Sequence, residues 1–95
     1  MALPVPVLVR WTTGKISRPT GGYYSTEAAF AGYSNWPEES WSITLGFSPP
    51  EEALKDVAYA TAQFLSQEAP HELLCKGASF EMREGAKVTA SVQVL

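Results

Sequence analysis

Catalysis or metal binding needs reactive side chains brought together, and this chain offers few of them. His71 is the only histidine and Cys75 the only cysteine, with Glu68 and Glu72 nearby. The four-residue spacing would put His71 and Cys75 on one helical face, but Pro70 interrupts such a helix. No second cluster supplies the three or four ligands that a metal takes, so neither a metal nor a cofactor is expected. Nucleophilic catalysis would need a serine or cysteine oriented by His71, and no motif of that kind occurs. Glu38–Glu39 and Glu51–Glu52 are adjacent pairs beside prolines. That placement suits solvated loop or helix-cap acids better than an acid–base pair. No Gly-x-x-x-x-Gly-Lys-Ser/Thr loop is present to cradle a phosphate. The chain reads as a non-enzyme.

Binding has better raw material. Tyr23, Tyr24, Tyr33 and Trp36 crowd one extended segment and the turn after it. A core needs only some of them, and exposed aromatics mark protein-binding or base-stacking surfaces. The alternative is packing at the rim of the core, with the hydroxyls turned to water. Mutation separates the two readings: a binding aromatic tolerates alanine without loss of stability, and a packed one does not.

Net charge is −3, which argues against nucleic acid as the main partner. Residues 1–26 carry Arg10, Lys15 and Arg18 and no acid. The middle of the chain is acidic, and the tail adds Lys76, Arg83 and Lys87 against Glu81 and Glu84. Were the terminal strands neighbours, Arg10, Lys15, Arg18, Arg83 and Lys87 would share one face. Ordinary solvated charge is the competing explanation.

These groups must be positioned by one domain, since 95 residues are too few for two. The composition, 45% apolar and 18% charged, is that of a globular chain. No run approaches the roughly 18 apolar residues of a membrane span. The start, MALPVPVLVR, lacks a basic n-region and suits a strand better than a signal peptide. A lone cysteine fits a reducing compartment, so a cytoplasmic location is expected, with Cys75 buried and inert and His71 in an exposed loop.

Extended segments are predicted at 4–13, 23–33 and 41–48, the last from Trp41, Ile43, Leu45 and Phe47 alternating with small or polar residues. Pro4 and Pro6, which lack an amide hydrogen, place the start of the first of these at a sheet edge. Two more strands, about 78–83 and 86–94, join at Arg83–Glu84–Gly85. Between the 41–48 segment and this hairpin, 50–66 has proline and acids at its start and good helix formers after, so propensity alone favours a helix. Read as a strand, Ala58, Ala60, Ala62 and Phe64 lie on one side and Val57, Tyr59, Thr61, Gln63 and Leu65 on the other, as in a barrel wall lined by small residues. The pattern as a whole points to a small closed or nearly closed β-barrel. Its core candidates are Trp11, Phe30, Trp41, Ile43, Leu45, Phe47, Phe64, Leu65, Leu74, Phe80, Met82, Val88, Val92 and Val94.

The closing segment Phe80–Glu81–Met82–Arg83–Glu84–Gly85–Ala86–Lys87–Val88 resembles the final hairpin of the third, C-terminal domain of translation elongation factor Tu. Ala86 and Lys87 stand where that family has glycine and arginine. Upstream, Val9–Arg10–Trp11, Arg18–Pro19–Thr20 and Phe30, twelve residues after Arg18, keep the family's spacing. Ser25–Thr26–Glu27–Ala28–Ala29 replaces its Gly-Tyr-Arg-Pro-Gln. The resemblance implies an all-β, six-stranded antiparallel barrel, present without the GTPase domain. It also implies a strand over 57–65, leaving at most one helical turn near 49–56. In the family this barrel packs against other domains and touches the T-stem of aminoacyl-tRNA. Glu84 and Gly85 match positions at the RNA surface. The family's glutamine there is Ala29, and its arginine is Glu27 or Ala28, depending on alignment. The expected function is a protein-interaction module, free or homo-oligomeric, with Tyr23, Tyr24, Tyr33 and Trp36 as candidate contacts. The alternative is an RNA binder using Arg10, Lys15, Arg18, Arg83, Glu84, Gly85 and Lys87.

Overall fold

Alternation of apolar and polar residues builds six strands. The computed structural model describes residues 3–12, 19–30 and 41–95. Its strands are β1 (Val5–Trp11), β2 (Tyr23–Phe30), β3 (Trp41–Gly46), β4 (Val57–Phe64), β5 (Ser79–Glu84) and β6 (Lys87–Val94). They pair antiparallel in the order β1-β4-β3-β2-β5-β6, and β6 returns to β1 to close a barrel. The expected six-stranded antiparallel barrel is the observed fold. A 3-10 turn at Pro50–Leu54 occupies the place of the expected helical turn, and a second lies at His71–Leu73. Among the described residues no helix is long and apolar enough to cross a membrane.

The contested segment is a strand because its small side chains complement both neighbours. Ala58 and Ala60 stand opposite Val9 and Val7 of β1, and Ala62 and Phe64 opposite Leu45 and Ile43 of β3. Ala58, Ala62, Val7, Val9, Ile43 and Leu45 are all fully buried. Pairing small with large fills a narrow barrel to normal density. A helix here would leave β1 and β3 without the strand that joins them, so closure outweighs helix propensity.

Aromatics plug both ends. At the lower end Phe30 packs on Phe80 (centroids 4.7 Å apart) and on Phe64 (5.8 Å). At the upper end Trp11 stacks on Phe47 at 5.9 Å and meets the Tyr24 ring edge-on at 5.2 Å.

Several expectations need correction. Leu65 is 62% exposed, because it continues the outward parity of β4. Val88 yields its core place to Thr89: the β5–β6 register shifts at Met82/Arg83, and a bulge in β6 turns Thr89 inward. Cys75 is exposed rather than buried. His71 is half-buried rather than exposed, with its ring edge-on to Phe64 at 5.6 Å and Nε2 3.1 Å from the Gln67 carbonyl. No sheet edge receives the prolines, since the barrel is closed. Pro6 sits opposite Thr61, just before pairing with β6 begins at Val7–Val94, and its carbonyl accepts the Leu95 N–H at 3.0 Å.

Candidate functional site

The outward positions of β3 and β4, with the first half of β2, form a wall without a charged side chain: Tyr23, Ser25, Ser42, Thr44, Gly46, Val57, Tyr59, Thr61 and Gln63. Tyr23 and Tyr59 are 73% and 65% exposed, and Leu65 extends the wall downward. Gly46 sits at its centre. A Cβ there would lie 3.0 Å from Thr61 Oγ1, which would have to give a little, and in ordinary contact, 3.7 Å, with the Tyr23 ring, so the fit between these side chains is close. Between Tyr23, Gly46, Tyr59 and Pro50 runs an open groove of about 450 Å³. Glu27 and Arg10 mark the borders of the wall on β2 and β1.

The upper edge of the wall is pinned by Glu52. β3 ends opposite Thr61, so the Tyr59 N–H has no strand residue to bond on that side. The Glu52 carboxylate accepts it at 3.0 Å and binds Lys55 Nζ at 2.8 Å. Lys55 first and the Tyr59 amide second hold the Glu52 carboxyl below the usual glutamate range.

Inside the upper rim lies a polar cluster. The Tyr24 hydroxyl donates to Glu84 Oε2 at 2.7 Å and lies 2.6 Å from Thr89 Oγ1. The Thr89 hydroxyl also reaches the Met82 carbonyl at 3.2 Å, and Thr26 donates to the Arg83 carbonyl. These bonds satisfy backbone oxygens beside the bulge. Burial pushes the Tyr24 hydroxyl well above the usual tyrosine range, and the neighbouring Glu84 carboxylate adds to it. A raised value means that the folded state holds this proton more tightly than the unfolded chain. The resulting stability is present below about pH 10 and is lost as pH rises beyond it. Melting temperature should therefore fall more steeply between pH 9 and 11 in the parent than in Tyr24→Phe. Parallel slopes would show that Tyr24 ionises as freely folded as unfolded.

The opposite side of the barrel carries the charges. Arg10 faces Ser91, and Ser91 faces Glu81, so Arg10 and Arg83 lie on either side of β6. Arg83 Nη2 donates to Glu81 Oε1 at 2.7 Å. Glu84 and Lys87 flank the exposed turn, where Gly85 adopts φ +64°, a left-handed conformation that favours glycine.

Of the aromatic candidates, Tyr23 stands on the uncharged wall and Tyr24 in the rim cluster. Tyr33 and Trp36 lie outside the described residues, as do Lys15, Arg18, Glu38 and Glu39. The structure brings Arg10 and Arg83 to one side, with Glu84, Gly85 and Lys87 at the turn above. Tyr59 was not among the sequence candidates. Its signal was the alternation Val57, Tyr59, Thr61, Gln63, which places it outward once the segment is a strand. Among the described residues no group of three His, Cys, Asp or Glu side chains is placed to hold a metal. No family model, curated protein or solved structure matches this chain.

Proposed function

We propose that this chain is a non-catalytic barrel acting as a protein-interaction module, docking through its uncharged wall, with a second copy of the chain as occupant. The observation that carries the reading is the wall itself. Interface cores are depleted of charge and enriched in aromatics, and here Tyr23 and Tyr59 project from serine, threonine and glycine surroundings. Closure leaves the strands no free edge, so a partner must dock on side chains rather than add a strand. The chain carries −3, but no described carboxylate projects from the wall itself: Glu27, opposite Ser42, and Glu52 stand at its borders, and Glu81 lies on the far side. Two copies therefore meet there without opposing carboxylates. A standard interface takes about 800 Å² from each partner. That is roughly one seventh of the 5633 Å² accessible surface, an area a wall spanning three strands can supply.

Sedimentation velocity over a concentration series tests the proposal. The parent chain should shift from monomer to dimer. Tyr59→Asp, at an exposed position, should weaken the dimer about 30-fold or more without lowering Tm. A monomer up to near-millimolar concentration, or a dimer indifferent to Tyr59→Asp, would overturn it. RNA binding draws less support, because Arg83 is engaged by Glu81 and Glu84 by Tyr24.

A further inference from the structure

A trough of about 530 Å³ lies on the far side of the barrel from the wall, over β1, β6, β5 and the end of β2. Register explains its shape. One row runs Arg10–Ser91–Glu81–Ala29 and the next Leu8–Gln93–Ser79. The short side chain of Ser91, on β6, lies between Arg10 on β1 and Arg83 on β5, and Ser79 and Ala29 continue the floor over β5 and β2.

Its charge is unlike that of the rest of the molecule. The trough has two guanidinium groups and one carboxylate, a net +1 on a chain of net −3. Glu81 holds Arg83 in place, with the Arg83 side chain only 23% exposed. Arg10 is exposed and has no carboxylate partner among the described residues. Ser79, Ser91 and Gln93 offer hydrogen-bonding groups on the floor, and Leu8, Ala29 and Phe30 offer apolar surface. A second negative charge on a ligand would meet Glu81, or Glu27 opposite Arg83, so a polyanion is disfavoured.

We infer that this trough binds a small monocarboxylate with a short apolar tail, its carboxylate paired with Arg10 and its tail lying along Leu8. The volume is in the range of small-ligand sites. A guanidinium is also the side chain best matched to a planar carboxylate. The inference is independent of the docking wall, and either stands if the other fails.

Sodium octanoate titrated into the full chain, followed by ¹H–¹⁵N NMR, tests it. The amides of Leu8, Ser79, Ser91 and Gln93 should shift saturably, whereas octylammonium should leave them in place. Arg10→Gln should weaken octanoate binding about tenfold or more, with Tm unchanged. Ser91→Phe, which fills the floor, should abolish it. The proposal falls if octanoate produces no saturable shift, or if octylammonium shifts the same amides equally, the mark of an apolar patch. It also falls if a single-stranded oligonucleotide binds here and octanoate does not, or if Arg10→Gln binds like the parent.

Discussion

Replacing Phe80 with alanine is expected to cost about 3–5 kcal/mol of stability. For a domain of this size that is a fall in Tm of at least about 12 °C. Phe80 is 3% exposed and stands opposite Phe30 on β2 and Val92 on β6. Its ring is therefore shared between the two seams that β5 makes. Removing it opens a cavity and loses the 4.7 Å ring contact with Phe30, which in turn packs on Phe64. Small domains hold only about 5–15 kcal/mol in total, so the variant should approach the edge of folding. Urea unfolding of parent and variant measures the difference. A loss below about 1 kcal/mol, the ordinary cost of a point mutation, would mean that the lower aromatic plug contributes little.

Thr89→Val is expected to cost about 1–3 kcal/mol, although the two side chains have nearly the same shape. Thr89 is fully buried, and its hydroxyl lies within reach of both the Met82 carbonyl and the Tyr24 hydroxyl. Valine fills the space and leaves those oxygens without their neighbour, which is why this exchange is not conservative in a core. Tyr24→Phe touches the same cluster. In a double-mutant cycle the two losses should fall short of additive, since each removes part of one network. Strict additivity would show that the hydroxyls act separately.

Much of the barrel was legible from local pattern. Trp41, Ile43, Leu45 and Phe47 announce β3, and Arg83–Glu84–Gly85 announces the last turn. What local pattern hides is any relation between distant residues. Whether 57–64 is helix or strand depends on Val7, Val9, Ile43 and Leu45, which supply the large partners its alanines need. The bulge that exchanges Val88 for Thr89 leaves no mark in the alternation itself. The same holds for Tyr24, whose hydroxyl partners are 60 and 65 residues away. The proposed docking wall is only partly visible in the sequence, for a related reason. Tyr23 was noticed among aromatics close in sequence, but its companion Tyr59 reaches the same wall through register, with Gly46 and Thr61 between them.

The strand order also makes the last hairpin the element that closes the barrel. The chain through β4 already contains a complete sheet in the order β1-β4-β3-β2, and the β5–β6 hairpin then bridges its two outer strands, β2 and β1. During synthesis these four strands emerge before the hairpin, and paired as they are in the barrel they would present two unpaired borders, each a template for another nascent chain. The hairpin is thus a clasp as well as two further strands. Until it is made, each half-finished barrel competes with its neighbours for the same backbone partners, and a chain cut before Ser79 would keep both borders open for good.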